Sequence, residues 1–353
     1  MTEKLKSLMH ERAAAPDFEP PDVDVLMRAG TERVRRRRGL TVVAGVVAAA
    51  VVGGTAVLAT DDPDGQSATE PVAPAALSWA TGSVVHTLGG DLDVGHPVEA
   101  YVRTAEGYVV ADERGRVWSV VGSSVAEVGR TDPRRLRLVG DSDGSRAGWV
   151  EPRRSGRVYA VVDQATGDVT RFGHDASRLF AIDGGTAYVR DPRGALAVDV
   201  DSGATRVIEA EVQDGDTVLA VEDGILAFDA VDDGTSVGTR WDDAVALPDS
   251  YGSQAAFSPD ARWISVDADE LRVYDVRTGD RVDLDVSGRY FATGYEWLDD
   301  HTLAVLSAED EDDAADLLTC DVLAGTCQVA VADLGTFEEL RSGFALPVGT
   351  RAD

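Results

Sequence analysis

The chain has 353 residues, with 33 Lys and Arg against 63 Asp and Glu, so its formal net charge is −30. A hydrophobic fraction of 44%, with 36 glycines and 13 prolines, is typical of a folded, turn-rich chain, and the length allows two ordinary domains or one large β domain. Beyond residue 60 the chain carries 56 acidic and 24 basic residues, a balance that repels phosphate backbones, so we expect no nucleic-acid binding there.

Residues 39–59 form an apolar stretch of 21 residues without a charge, GLTVVAGVVAAAVVGGTAVLA. A helix of this length spans a hydrocarbon core of about 30 Å. Acidic residues follow the stretch and arginines precede it, namely Arg33, Arg35, Arg36, Arg37 and Arg38. The positive-inside rule then predicts a cytoplasmic stub (1–38), a transmembrane helix (39–59) and an outer part in a single-pass plasma-membrane protein. A cleaved signal peptide is the alternative, but its apolar region is usually shorter, about 7–15 residues.

Cys320 and Cys327 are the only cysteines, and six residues separate them. If those six residues turn a hairpin, the two sulfurs lie on neighbouring strands within reach of a disulfide. An even cysteine count in an exported domain also favours a bridge. Two cysteines without an adjacent histidine do not supply the four ligands of a zinc site.

The outer part begins with a linker (60–76) rich in Pro, Ala and acidic residues, followed by short apolar runs over residues 77–350. A pattern of strand, Asp-containing turn, Gly and second strand recurs along these runs, with no segment of helical periodicity. Its turn glycines are Gly167, Gly203, Gly279 and Gly325, and we assign Gly234 to a looser copy. The resulting period of about 40 residues with four strands is typical of β-propeller blades.

The fold class we predict is therefore all-β, a β-propeller preceded by one transmembrane helix and a short cytoplasmic stub. Six blades fit between Pro97 and Ala332. Strand-like remnants lie at 83–88, 91–94 and 344–348, and pairing them in one composite blade would remove a free sheet edge. We therefore expect seven blades, with six as the alternative. Five aromatic residues on the strands are expected to pack between blades: Trp118, Tyr159, Phe228, Trp263 and Tyr274.

Two segments carry a resemblance to known propellers. The segment AAFSPDARWISV (255–266) resembles the strand–turn–strand of WD-repeat-like and TolB-like propellers, with Ala261 in place of the usual glycine. The segment LRVYDVRTG (271–279) is similar to the strand and turn of WD-repeat and YVTN-type propellers. The resemblance implies the architecture, because the Gly-His and Trp-Asp signatures of true WD repeats are missing. The layout as a whole resembles single-pass membrane proteins of actinobacterial type.

No catalytic, cofactor or metal residue is assigned from the sequence. Gly140–Gly144 matches G-x-S-x-G, but a strand-like segment follows where a nucleophile elbow needs a helix, so we expect an ordinary turn. Asp199 with Asp201, and Asp141 with Asp143, have spacings seen in calcium loops without the closing Glu, which leaves Ca²⁺ between loops open. The acidic run 309–316 is expected in the hairpin before Cys320, as a solvated loop or as a site for a cation or basic partner.

Three hypotheses about function follow. The first is a non-catalytic interaction or ligand-sensing platform, with an unidentified protein or small molecule on the propeller. The second is an anti-sigma-type regulator whose stub binds a cytoplasmic transcription factor, although no cysteine precedes Cys320 to form a zinc anti-sigma motif. The third is a propeller hydrolase or lyase with carboxylates gathered at the central channel.

Overall fold

The computed structural model describes residues 77–351, apart from positions 155, 174–175, 192–193, 210–216, 231–233, 242–243, 251–253, 268–269 and 342. The predicted stub (1–38), membrane helix (39–59) and linker (60–76) lie outside the described residues, as do the five arginines of the topology signal. Among the described residues, no helical segment combines the length and the apolar character that a bilayer crossing requires.

The described residues form seven antiparallel sheets of four strands each, which we call blades 1–7. Blade 1 contains β1 (Ser78–Thr81), β2 (Val84–Thr87) and β3 (Gly90–Asp93). Blade 2 contains β4 (Ala100–Arg103), β5 (Tyr108–Ala111), β6 (Arg116–Val121) and β7 (Ser124–Arg130). Blade 3 contains β8 (Leu138–Gly140), β9 (Arg146–Arg153), β10 (Gly156–Asp163) and β11 (Asp168–Phe172). Blade 4 contains β12 (Arg178–Asp183), β13 (Thr186–Asp191), β14 (Gly194–Asp199) and β15 (Thr205–Glu209).

The remaining blades continue the same order along the chain. Blade 5 contains β16 (Thr217–Glu222), β17 (Ile225–Ala230), β18 (Gly234–Gly238) and β19 (Val245–Ala246). Blade 6 contains β20 (Gln254–Phe257), β21 (Trp263–Asp267), β22 (Leu271–Asp275) and β23 (Arg281–Val282). Blade 7 contains β24 (Phe291–Trp297), β25 (Thr302–Ala308), β26 (Asp316–Asp321) and β27 (Thr326–Val331). A single-turn helix α1 (Phe337–Leu340) precedes β28 (Phe344–Ala345), which completes blade 1.

The first strand of each of blades 2–7 is the innermost, and these strands contact one another around the axis. In blade 1 the innermost position belongs to β28, which pairs antiparallel with β1 through Ala80–Ala345 and Thr81–Phe344. The predicted composite blade and the count of seven are thus confirmed. The sequence prediction missed β1, a strand of four residues.

Apolar side chains hold neighbouring blades together. The described residues contain seven buried hydrophobic clusters, each drawn from two adjacent blades. In the cluster between blades 2 and 3, Val102 packs with Trp149, which has no exposed surface. Tyr159, Phe228, Trp263 and Tyr274 are buried in such clusters, and Trp118 stacks on His96 with the ring centres 3.9 Å apart. Because each blade covers the faces of its neighbours, the ring has no uncovered sheet face between blades.

The turn glycines fit their predicted conformation, with one misassignment. Gly167, Gly203, Gly279 and Gly325 have φ of 78°, 71°, 74° and 68° and follow the third strand of their blades. Gly234 lies one hairpin earlier, at the start of the third strand of blade 5, so the looser copy was aligned wrongly. The helix α1 was also unexpected; Thr336 and Glu339 form a capping box at its start.

After β28 the chain turns back and runs along two inner strands. The Gly349 N–H donates to the Tyr101 carbonyl (2.9 Å), and the Leu138 N–H donates to the Gly349 carbonyl (2.8 Å). A Cβ at Gly349 would lie 2.1 Å from the Leu138 oxygen, and its φ is +74°, so only glycine fits there. We call residues 346–351 the C-terminal segment; they fill part of the space inside the ring beside β4 and β8.

Candidate functional site in the axial channel

A cavity of about 800 Å³ runs between the inner strands. Residues from the first strands of blades 2–7 and from the C-terminal segment line it. Since the inner strands of an up-and-down propeller all run in the same direction, their first residues meet at one end of the cavity and their last residues at the other. The two ends carry opposite charge.

One end of the cavity is lined by arginines that begin the inner strands of blades 3 and 4. We call it the basic mouth, and its members are Arg134, Arg135, Arg137 and Arg178. Arg134 and Arg135 are exposed, whereas burial and the neighbouring Arg178 lower the pKa of Arg137 to about 10. Burial and Arg190 lower the pKa of Arg178, and Asp229 acts in the opposite direction without reversing the shift.

The cavity also has an apolar and aromatic lining. Phe180 and Leu219 lie within the inner strands of blades 4 and 5, and Phe257 and Trp297 end the inner strands of blades 6 and 7. All four side chains are buried, with at most 8% of their surface exposed. The guanidinium of Arg178 lies over the Phe180 ring, 5.4 Å from its centre, so the basic mouth passes directly into this apolar wall.

A buried ion pair also lines the cavity. Nε of Arg103 lies 2.8 Å from Oε1 of Glu296, and a terminal nitrogen of Arg103 donates to the Trp297 carbonyl (3.0 Å). Burial raises the pKa of Glu296 to about 7, and Arg103 opposes that shift. Tyr101, Tyr108 and Tyr295 surround the pair, and burial raises the pKa of each phenol.

Acidic residues that end the inner strands gather at the other end of the cavity. We call this the acidic end, and its members are Asp141, Asp183, Glu222 and Asp223. Burial and neighbouring carboxylates raise the pKa of Glu222 to about 9 and that of Asp141 to about 6. The N–H groups of Gly144 and Gly184 donate to Asp141 at 2.9 and 3.2 Å and oppose the latter shift.

Three carboxylates of the acidic end lie close enough to share a cation. Oxygens of Asp183, Glu222 and Asp223 lie within 4.8 Å of one another, and they are the group among the described residues that could hold a metal ion. Ca²⁺ takes 6–8 oxygen ligands, so these side chains would provide only part of its coordination. The prediction of Ca²⁺ between loops stays a prediction. The aspartates of the 140–144 turn, which belong to that prediction, lie near this group of three carboxylates.

The other predicted aspartate pair is engaged within the protein. Asp201 binds the Arg146 guanidinium through both oxygens, at 2.8 and 3.0 Å. Asp199 accepts from the N–H and hydroxyl of Ser202 in an exposed turn. The geometry assigns these two side chains to turn formation and to the contact between blades 3 and 4.

The remaining sequence candidates lie away from the cavity or form ordinary turns. Cys320 and Cys327 form a disulfide between β26 and β27, with Cα atoms 4.0 Å apart. Gly140–Gly144 connects β8 to β9 as a turn, as expected, and the acidic run 309–316 lies in the hairpin before Cys320. Within that run, Asp316 and Glu309 pair with Arg289 at 2.7 and 3.6 Å.

Sequence reasoning did not identify the charged residues of the channel. Arg137, Arg178 and Glu222 lie at the ends of inner strands, and only closure of the ring brings them to the channel. The one signal available was position, since each lies at the start or end of the first strand of a blade. That position is visible only after the four strands of every blade are assigned.

No protein-family model matches the chain, and no curated protein matches it. Solved structures resemble it at low sequence identity. AztD of Citrobacter koseri is 14% identical, with 74% of this chain and 82% of that one covered and a TM-score of 0.48. TolB of Acinetobacter baumannii is 12% identical over 74% of this chain and 64% of that one, with a TM-score of 0.42. Hsv2p of Kluyveromyces lactis is 12% identical over 64% of this chain and 75% of that one, with a TM-score of 0.42. The architecture that the resemblance implied is confirmed by the seven four-stranded blades themselves.

Proposed function

We propose that this chain is a single-pass plasma-membrane protein whose propeller lies outside the cytoplasm and acts as a ligand-sensing or interaction platform. The ligand enters the axial channel, and the protein binds it without converting it. The stub and the 39–59 segment anchor this platform to the membrane.

The axial cavity is the observation that carries the proposal. Its volume of about 800 Å³ falls within the range of about 300–1,000 Å³ typical of small-molecule sites. Such sites combine an apolar lining with a few convergent polar groups, and this cavity combines Phe180, Leu219 and Phe257 with charged groups at both ends. The walls belong to inner strands held by the inter-blade clusters, so the site is preformed.

The sequence supports the membrane placement. The 21 uncharged residues of 39–59 match the thickness of a hydrocarbon core, and the arginines before them favour a cytoplasmic N-terminus. Fusion of alkaline phosphatase after Asp353 tests the topology, because that enzyme needs an oxidising compartment. We expect activity of the fusion in intact cells, and Asp replacements of Arg33 and Arg35–Arg38 should reduce it. An active cytoplasmic reporter at the same position would contradict the proposal.

A blocked channel tests the binding site itself. Thr293 lines the cavity, so Thr293→Trp should obstruct it, whereas Thr205→Trp places the same ring on an exposed outer strand of blade 4. Full-length protein in lipid nanodiscs would be screened by ligand-observed NMR with small aromatic acids, amides and amines. We expect binding to the unmodified chain and to Thr205→Trp, and loss with Thr293→Trp. Equal binding to all three proteins would place the ligands outside the channel and overturn the proposal.

A further inference from the structure

Arg137 and Arg178 form a pair of like charges inside the axial channel. Arg178 is the first residue of β12 and Arg137 immediately precedes β8, so they begin neighbouring inner strands, and both line the cavity. The guanidinium of Arg178 repels that of Arg137, and the guanidinium of Arg190 repels that of Arg178. Among the described residues, no carboxylate lies within ion-pair distance of Arg137 or Arg178.

Several other arginines of the propeller have carboxylate partners. Arg116 meets Asp112 at 2.7 Å, Arg146 meets Asp201 at 2.8 Å, and Arg289 meets Asp316 at 2.7 Å. With 63 acidic residues against 33 basic ones, a guanidinium has many available partners. At the basic mouth, where the cavity opens, neither Arg137 nor Arg178 has such a partner among the described residues.

An unpaired buried guanidinium is costly unless something else supplies the counter-charge. Nε of Arg137 is buried and has no hydrogen-bond acceptor within the described structure. Removal of a charge from water without a partner is unfavourable, and two such charges side by side repel each other as well. An oxyanion between the two guanidinium groups would offset both the desolvation cost and the repulsion. Guanidinium groups bind carboxylate and phosphoryl oxygens in bidentate geometry.

The rest of the channel determines how such a ligand would lie. The Phe180 ring under Arg178 continues into Leu219 and Phe257, which suits an apolar or aromatic body. Asp183 and Asp223 at the acidic end repel a second anion, without a contribution from Glu222, whose pKa of about 9 keeps it mostly protonated at neutral pH. The anionic group of the ligand is thereby restricted to the basic mouth.

We propose that the channel binds an organic anion, with its carboxylate or phosphoryl group held between Arg137 and Arg178 and its apolar body against Phe180, Leu219 and Phe257. This inference rests on the proposed function, since it specifies the ligand class of the same channel. Arg134 and Arg135, exposed at the basic mouth, attract the anion before it enters.

The test compares matched probes on the full-length chain in nanodiscs of neutral lipid. Benzoate, phenyl phosphate, benzamide and benzylamine share one ring and differ in charge. We expect benzoate or phenyl phosphate to bind at least tenfold more tightly than benzamide in ligand-observed NMR titrations, and benzylamine to bind most weakly. The stronger of the two anions identifies whether the site prefers a carboxylate or a phosphoryl group.

Variants assign the preference to the two arginines. Arg137→Gln with Arg178→Gln should remove the tenfold preference and leave benzamide binding within twofold. The control, Arg130→Gln with Arg206→Gln, makes the same change in net charge at exposed positions and should retain the tenfold preference for the anions. Arg178→Lys keeps the positive charge but loses the bidentate guanidinium, so it should give an intermediate affinity for the anions. The melting temperature of each variant verifies folding, and removal of two repelling cations should not lower it.

Three results separate this inference from the function on which it rests. Unchanged anion preference in the double variant overturns the inference. Equal binding of benzoate and benzamide, both lost with Thr293→Trp, overturns it as well but leaves a channel that binds ligands. Absence of binding by every probe overturns the proposed function together with the inference.

Discussion

Arg103 and Glu296 form an ion pair across the channel wall, 2.8 Å from Nε to Oε1, with at most 9% of either side chain exposed. The pair joins the last residue of β4 to the end of β24, two inner strands on opposite sides of blade 1. Burial of a carboxylate disfavours its charged form, and here burial outweighs the attraction of Arg103, so the pKa of Glu296 rises to about 7.

This shift predicts a stability that falls as pH rises. The folded pKa of about 7 exceeds the ordinary 4.5, so the folded protein binds more protons than the unfolded chain between these two values. The free energy of unfolding should therefore decrease from pH 4.5 to 7 through this group. Glu296→Gln keeps a neutral side chain at all pH values and should match the unmodified protein at pH 4.5. At pH 8 it should be more stable by about 1–3 kcal/mol.

Urea unfolding at several pH values measures this difference. Glu106→Gln, at an exposed turn of blade 2, is the matched control and should follow the unmodified protein across the range. If Glu296→Gln proves less stable at pH 8, the attraction to Arg103 outweighs burial, and our sign is wrong.

Gly349→Ala should dislodge the C-terminal segment from the channel. The added Cβ would meet the Leu138 carbonyl, and alanine at φ +74° is strained in addition. We expect a loss of at least about 2 kcal/mol in the free energy of unfolding and faster carboxypeptidase digestion. Gly343 has a similar φ of +76°, but a Cβ added there would have no neighbour closer than 3.8 Å. Gly343→Ala should therefore cost only about 1 kcal/mol. Equal losses in the two variants would refute a role for close packing.

Ala261→Gly should stabilise the propeller. Ala261 has a φ of 54° in the turn between β20 and β21, where the resembling propellers have glycine. Glycine relieves the strain of the left-handed conformation, although it also adds freedom to the unfolded chain. We expect a net gain of about 0.5 kcal/mol or more by thermal unfolding. Ala324→Gly, in an exposed turn without positive φ, is the control and should be neutral or destabilising.

Loss of the Cys320–Cys327 disulfide should destabilise blade 7 without abolishing the fold. The bridge closes a loop of only a few residues between strands that already pair, so we expect a cost of about 2 kcal/mol. Cys320→Ser with Cys327→Ser, compared by urea unfolding with and without a reductant, measures it. The reductant should lower the stability of the unmodified protein and leave the double variant unchanged. A reductant effect on both proteins would show that it acts elsewhere.

The blades were predictable because their signals are local. Asp and Gly at the turns around Gly167, Gly203, Gly279 and Gly325 determine where strands end, and alternating apolar residues determine which side faces a neighbouring blade. The error at Gly234 has the same origin. An Asp–Gly turn looks the same after the second strand of a blade as after the third, and only pairing distinguishes them.

The channel was not predictable because its residues come together through ring closure. Arg103 and Glu296 are separated by almost two hundred positions, and Arg137 and Arg178 lie in different blades. Nothing near any of them in the sequence differs from other arginines and glutamates on strands. Their charge states depend on burial, which only the assembled ring produces.

The pairing of β28 with β1 has a consequence for biogenesis. Synthesis delivers β1 before blades 2–7 and β28 only after them, so blade 1 cannot close until six other blades have been made. Until then the edge of β1 is open to other strands, including those of a second nascent copy. Premature termination just before Phe344 would leave that edge exposed permanently, and we expect such products to be cleared by quality-control proteases.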